Sequence, residues 1–577
     1  MLTLHWDIET RSALDLRKTS AWKYAGHPTT DIWFARYALD DDPVLIWKPG
    51  DPIPEVFAKG YYRVVVAHNA MFETAIAERI LTPRYGWPVI PIERVRCTMA
   101  AALADARPPA LDDAAAAYNL SLRKDEEGAA LMMQMARPRK PRPGEAPGLY
   151  WHDDPEKIER LCRYCARDVE VERELHHRVP PLSDDEQAIW VFNYHCNRRG
   201  FRVDVPLAEA AEKIVKAQLN AINSEVCALT GGAIERISQV PRIKKFVNGR
   251  GHKMTGTTKR HVAAILAHHP EPEVDRLLRL RQEGGRASVA KLGALLAGEN
   301  GGRLYDTLMY HRAATGRWAG SGFQPQNLSR SVPADEDAAI AAVLSGDLAR
   351  VASVGPPIDL IASLSRSLII AAPGCDLMPG DFSSIESRIT AWYANETWKL
   401  AVYREFDRTG NPALEPYCMI ASKVLGRTVT PDDEEGRQLG KLLDLAFGFG
   451  GGAGAFKRIA PDSGFSDAQI EHFKRQYRAT HPETGMFWRR YFRMLRRVVR
   501  SGEPGKLDRV RAVMDGLVHR QAQSRRSGRS RSGRPRSRPP GRRPSGDDRP
   551  GCAHHYVPRS AGEQRRFRLA RARPLRG

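Results

Sequence analysis

Two groups of side chains in this 577-residue chain are spaced for chemistry. The segment Asp381-Phe-Ser-Ser-Ile-Glu386-Ser-Arg388 places a carboxylate just after an apolar stretch, with Glu and Arg one to two turns further on. Downstream, Arg437, Lys441, Leu445 and Phe449 recur at every fourth position, so on a helix they share one face. Two cations followed by apolar and aromatic surface suit a molecule with phosphates at one end and a flat base at the other. A carboxylate nearby can hold the divalent metal that such phosphates need, and the chemistry points to a nucleoside triphosphate. The second group begins with Asp7-Ile-Glu9, where two carboxylates at i and i+2 on an extended segment point to the same side and can reach one metal. His68-Asn69-Ala-Met-Phe72-Glu73 follows an apolar run, and Tyr164 and Asp168, four apart, lie on one face of a helix.

The elements that must position these groups follow from periodicity. Extended runs at 2–7, 32–39, 44–47 and 64–67, with helical patterns after Met71 and over 155–177, predict an α/β domain with a mixed sheet across residues 1–180. The basic, proline-rich stretch 136–144 reads as an exposed loop of that domain. Ser183-Asp-Asp-Glu186 has the form of a capping box and opens a helix running past Trp190 to Asn197. Residues 205–296 read as mostly helical, 303–311 and 368–382 as strands, and helical periodicity returns from Ile389 to Arg500. Gly448-Phe-Gly450-Gly451-Gly452 follows a helix rather than a strand, so it reads as a helix exit and not as a dinucleotide-binding turn.

Composition narrows the class. A hydrophobic fraction of 42% and a charged fraction of 27% are ordinary for a soluble globular protein. The length allows roughly three or four domains. No apolar run is long enough for a bilayer and no signal-like start is present, which argues against a membrane protein. Eight scattered cysteines form no disulfide framework, which fits the cytoplasm, and Cys162-x-x-Cys165 reads as a pair of helical thiols.

Together the segments resemble the family A DNA polymerases of the bacterial DNA polymerase I type, in the compact form found in phages and prophages. Asp381–Arg388 and Arg437–Gly450 resemble the family's motifs A and B. Thr315-Gly316-Arg317 and Gln324-Pro325-Gln326-Asn327-Leu328 resemble its TGR and QN elements, and Ser288-Val-Ala-Lys291-Leu292 its thumb lysine segment. The N-terminal set resembles the three exonuclease motifs of the DEDD family in its tyrosine form.

The resemblance implies a multidomain α/β and α+β protein. A ribonuclease H-like 3′→5′ exonuclease would occupy 1–180, a helical connector and thumb 181–302, and palm and fingers 303–517. It assigns Asp7, Glu9, Glu73 and Asp168 to two divalent ions, Mg²⁺ or Mn²⁺. Tyr164 would orient the attacking water, while Phe72 and Asn69 shape the strand site. Glu73 stands where many relatives carry Asp. In the polymerase site, Asp381 would serve both metals, Arg437 and Lys441 would grip the triphosphate, and Leu445 and Phe449 would face the base. Glu386 would exclude a ribose 2′-hydroxyl. Lys291, Arg317, Gln326 and Asn327 would contact primer-template DNA. Phe449 replaces the usual Tyr, keeping the stacking face and losing a hydroxyl.

One expected element has no counterpart. The family's motif C, a His-Asp pair in a hairpin, is matched only by His152-Asp153 inside the exonuclease segment, so the palm reads as incomplete. From Arg520 onward the chain holds 18 Arg, no Lys and three acids, supplying +15 of the net +21 charge. Two accounts of 518–577 stand: a disordered basic tail that binds nucleic acid, or a GC-rich gene read out of frame. The loss of a palm element where composition changes favours the second. The reading is a phage or prophage replicative DNA polymerase with proofreading. Its rivals are an exonuclease with a silent polymerase module and a primer-template binding protein without catalysis.

Overall fold

The computed structural model describes residues 2–501, with 286, 314, 330 and 462 left out, and the short strands Gly505–Leu507 and Val510–Ala512. The 518–577 stretch singled out by composition lies outside the described residues. The chain divides into two compact units, Met1–Leu377 and Met378–Gly577.

The first unit begins with a five-stranded sheet of order β3-β2-β1-β4-β5, where β1 is Leu2–Arg11, β2 Asp31–Leu39, β3 Leu45–Trp47, β4 Tyr62–Ala67 and β5 Val95–Cys97. The first three strands run antiparallel, while β4 joins β1 and β5 joins β4 in parallel. β1 is therefore the central strand. Its register against β2 shifts between Glu9 and Thr10, a bulge directly after the second acid. Long-range burial fixes which face is which: Leu4, Trp6, Ile8, Trp22, Phe57 and Trp87 share one apolar cluster.

The helix Pro155–Arg178 lies against the sheet. It starts where Asp154 accepts hydrogen bonds from the backbone N–H groups of Glu156 and Lys157, and it ends in two His and an Arg that suit the helix C-terminus. Leu161, Cys165, Asp168, Glu172 and Leu175 recur three and four apart and are all buried. His5 on β1 pairs with Glu172 through Nδ1 and Oε2 at 2.8 Å, tying helix to strand in the interior.

Helices Val205–Leu229, Val240–Gly249, Lys259–Leu266, Pro272–Gly284 and Ala287–Gly298 follow. The strands expected at 303–311 and 368–382 are shorter than their sequence suggests. They form Arg303–Leu304, Leu308–Met309 and Ile369–Ile370, and residues 371–384 are irregular. The Ser183 capping box is half made. Ser183 caps Glu186 N–H at 3.3 Å, but Glu186 instead accepts a hydrogen bond from Tyr310 OH at 2.6 Å.

Among the described residues the second unit is helical apart from the paired strands Gly505–Leu507 and Val510–Ala512. Ile385–Ala394, Thr397–Thr409, Pro416–Leu425, Glu434–Phe447, Asp467–Thr480 and Pro482–Ser501 are its longer elements. A buried ion pair lies at its centre: Lys399 Nζ meets Asp444 Oδ1, and Tyr477 OH donates to the same oxygen at 2.7 Å. Burial pushes the Asp444 carboxyl up, and Lys399 with the neighbouring hydroxyls overcomes this and holds it below the usual carboxylate range.

Candidate active site

In the first unit the sheet and the 155–178 helix bring the N-terminal acids together. Asp7, Glu9 and Cys165 present ligand atoms all within 4.8 Å of one another. Cys165 Sγ lies 3.4 Å from Asp7 Oδ2. Asp168, one turn beyond Tyr164, is buried, and its Oδ2 accepts a 2.7 Å hydrogen bond from Lys124 Nζ. Glu73 enters on the short helix Met71–Ile76, which follows β4 after Asn69 turns the chain with φ +69°.

The electrostatics are those of crowded acids. Burial, then Asp168, pushes Asp7 up to about 6. Burial together with Asp7 raises Glu9 and Glu73 well above the ordinary carboxylate range. Burial also raises Asp168, against the pull of Lys124. Burial opposes the charge of Lys124, but Asp168, Asp7 and Glu9 hold its ammonium above the ordinary lysine value. Glu73 Oε2, Asp168 Oδ1 and the Tyr164 hydroxyl are buried without a hydrogen-bond partner. Orphaned anionic oxygens around clustered carboxylates are what a divalent cation satisfies, so the donor set fits one.

Tyr164 is 1% exposed, with the Lys124 ammonium 5.0 Å from its ring centroid. The helix Glu126–Met135 passes over it at Gly128, where a Cβ would lie 2.4 Å from Tyr164 Cδ2. Only glycine lets the two elements approach so closely. Asn69 and Phe72 line a cavity of about 480 Å³ with Cys97, Trp190, Asn193 and Asn197. His68, between Thr98 Oγ1 and the Pro109 carbonyl, is a structural histidine lowered to about 4 by burial.

In the same unit, Lys291 Nζ donates to the Asn327 carbonyl, which joins the thumb lysine segment to the QN element. Gln326 and Asn327 are exposed on a 3₁₀ turn, Pro325–Asn327. Arg317 is exposed in a tight turn whose Gly316 N–H donates to Ala313 O at 2.8 Å.

In the second unit, Arg437, Lys441 and Leu445 lie half-buried along one face of the helix Glu434–Phe447. Phe449 lies past the helix end, so the fourfold repeat does not carry it on that face. It packs instead against the apolar cluster of Ala394, Phe487, Trp488, Tyr491, Leu495 and Val498. Arg437 Nη2 is 3.0 Å from Glu415 Oε1. Asp381 and Glu386 are exposed, the first in the irregular segment and the second in the first turn of Ile385–Ala394. Arg388 anchors that turn through Asp407 at 2.6 and 2.9 Å and through the Ser383 carbonyl at 2.8 Å. Ile385, Ile389 and Trp392 form an exposed apolar row on the same helix. Asp381 joins no group of three acid, His or Cys ligands among the described residues, so the donor set there does not fit a metal pair.

Lys124 and the Lys399–Asp444 pair were not signalled by local pattern, and Cys165 was read only as a helical thiol although it lies three residues before Asp168 on the same helix. Lys124 and Asp168 are 44 residues apart and Lys399 and Asp444 45 apart, and neither separation has a helical or strand period.

No protein-family model matches the chain. It is 31% identical over 523 residues to a DNA polymerase of Bacillus phage SP02, covering 88% of this chain and 78% of the relative. Its fold is similar to the polymerase domain of Pol1 from M. smegmatis, solved in complex with DNA primer-template and dNTP. The TM-score is 0.58 and the identity 16%, covering 90% of this chain and 82% of the other. No helix among the described residues is long and apolar enough to cross a membrane.

Proposed function

This chain belongs to the phage-type family A DNA polymerases, and we propose that it joins DNA-directed DNA synthesis to a 3′→5′ proofreading exonuclease in residues 1–180. The observation that carries the exonuclease is the convergence of Asp7, Glu9, Glu73, Asp168 and the unpartnered Tyr164 hydroxyl on one buried site. The sheet order, with three antiparallel strands and two parallel ones, supports a ribonuclease H-like domain.

Asp7, Glu9, Glu73 and Asp168 would hold Mg²⁺ or Mn²⁺, with Cys165 Sγ against Asp7. Bound there, a pair of such ions supplies an activated water and stabilises a leaving 3′ oxygen. The residues do the rest. Tyr164, fixed by burial, offers its hydroxyl to the water. Phe72 and Asn69, beside the 480 Å³ cavity, hold the terminal nucleotides. Glu73 reaches the site with one methylene more than an Asp would have.

For synthesis we assign the incoming deoxyribonucleoside triphosphate to Arg437 and Lys441, with Leu445 against the base and Glu386 against the sugar. Primer-template DNA falls to Lys291, Arg317, Gln326 and Asn327. The residues 181–302 act as connector and thumb, and 303–517 as palm and fingers. Asp381 is the expected metal ligand of synthesis, but among the described residues its surroundings do not complete a metal site. The exposure of Asp381 favours a second reading, an active exonuclease with a silent polymerase module.

Separate substitutions test these readings. Asp7→Ala should abolish 3′-end degradation of single-stranded DNA while leaving primer extension intact. Asp381→Ala should do the reverse. Degradation that persists in Asp7→Ala removes the exonuclease assignment, and an Asp381→Ala variant indistinguishable from wild type in extension leaves the second reading standing.

A further inference from the structure

The helix Pro482–Ser501 carries an arginine row that neither the triphosphate nor the acid cluster uses. Phe487, Tyr491, Leu495 and Val498 bury its core face, at spacings of four, four and three. On an adjacent face Arg489, Arg493, Arg496, Arg497 and Arg500 are exposed. With Arg478 from the preceding helix they line a cleft of about 760 Å³, floored by Phe447, Gly450, Trp488 and Phe492. Among the described residues lining the cleft there is no carboxylate. Six guanidinium groups around one concavity repel each other, so the arrangement calls for a polyanion.

The position of the cleft says which polyanion. Trp488 Nε1 donates to the Gly448 carbonyl at 2.7 Å, so the aromatic floor is fixed to the exit of the nucleotide-binding helix. Gly450, at φ +75°, admits the contact, since a Cβ there would lie 3.0 Å from Trp488 Cγ and 3.2 Å from Phe492 Cε2. Arg437 sits ten residues before Phe447, about 15 Å along the helix axis. Lys441 sits six residues before Phe447, about 9 Å along the axis, so a triphosphate held at Arg437 and Lys441 does not also span the arginine row. The row from Arg489 to Arg500 runs about 16 Å, with Arg489, Arg493, Arg497 and Arg500 spaced about one helical turn apart. A linear chain of phosphates matches that spacing, and the half-buried Phe492 ring offers a base a stacking surface. A cleft of this volume admits a few nucleotides and not a double helix.

We propose that the arginine face of the 482–501 helix, with Phe492, binds single-stranded DNA at the exit of the nucleotide-binding helix, as the unpaired template strand ahead of the base being copied. The inference rests on the polymerase reading and adds to it a strand track.

The test is fluorescence anisotropy with the full chain, comparing a primer-template that has a single-stranded 5′ overhang with the same duplex blunt-ended. The readout is the affinity that the overhang adds. R493A/R497A should reduce that increment about tenfold at low salt. It should also lower the slope of log K against log salt by about 1.4, the value for two lost single-strand phosphate contacts. R493K/R497K, which keeps the charge, should retain most of the increment. R404A/R408A, two exposed arginines on the helix Thr397–Thr409, should leave it unchanged. An increment that survives R493A/R497A, or a loss that appears equally on the blunt duplex, overturns the strand track while primer-template binding stands. Failure of the wild-type chain to bind either DNA would instead overturn the polymerase reading together with the track.

Discussion

Lys124 Nζ and Asp168 Oδ2 lie 2.7 Å apart, and the same ammonium feels Asp7 and Glu9. The acid cluster thus carries its own cation. A divalent ion entering between Asp7, Glu9 and Asp168 competes with that lysine for the same oxygens. Lys124→Met should therefore tighten Mn²⁺ binding several-fold, measured by calorimetry. It should also destabilise the metal-free protein by about 1–3 kcal/mol, because Asp168 is left unpaired. Unchanged Mn²⁺ affinity would assign Lys124 a role outside this competition.

The acid cluster also sets a pH dependence. Asp7 is raised to about 6 by burial and by Asp168, so its protonated form is favoured in the fold. A raised carboxyl contributes stability that is fully present below the ordinary carboxylate value and lost as pH rises through about 6. Glu9 and Glu73 are raised in the same direction by burial and by Asp7, and add to that loss. Divalent cations relieve this repulsion, so the rise in Tm on adding Mg²⁺ should be small at pH 5 and grow toward pH 8. A rise that is flat across that range contradicts the assignment of these acids to a metal.

Gly128 should be intolerant of a single methyl group. In a helix, Gly→Ala ordinarily stabilises by about 0.5–1 kcal/mol. Here the new Cβ would strike the Tyr164 ring at 2.4 Å. Gly128→Ala should lower the exonuclease rate by about tenfold or more, with circular dichroism unchanged. Wild-type degradation would show that the Tyr164 position does not govern the rate.

The Lys399–Asp444 pair is a stability element of the second unit, with both residues almost fully buried. Lys399→Met leaves an unpaired buried charge and should cost about 3–5 kcal/mol. Adding Asp444→Asn should recover part of the loss, because the second change removes that charge. Thermal melting of the two variants side by side decides whether the pair is coupled.

Much of this architecture was legible because its periods are local. Asp7 and Glu9 share a side of β1, and Tyr164 and Asp168 share a face of the 155–178 helix, through spacings of two and four. The cation face of Arg437 and Lys441 follows from the same arithmetic. What escaped depends on tertiary placement. Lys124 and Cys165 join the acids only because separate elements fold onto β1. Phe449 left its expected face because the helix ends at Phe447. The apolar run at 368–382 yielded only the strand Ile369–Ile370 because strand length depends on a pairing partner, which no stretch of sequence specifies alone. Glu186 likewise gave up its capping role to a partner 124 residues away.

The bond from Trp488 to the Gly448 carbonyl joins the arginine helix to the exit of the helix Glu434–Phe447, to which the triphosphate is assigned above. On those assignments, a shift of that helix as a triphosphate arrives would carry the floor of the cleft with it. Occupancy at the two places would then be linked thermodynamically. Whatever factor a strand in the cleft applies to triphosphate affinity, the triphosphate applies in return to the grip on the strand. Choosing a nucleotide and holding the strand that dictates the choice would become two readings of one coupling energy.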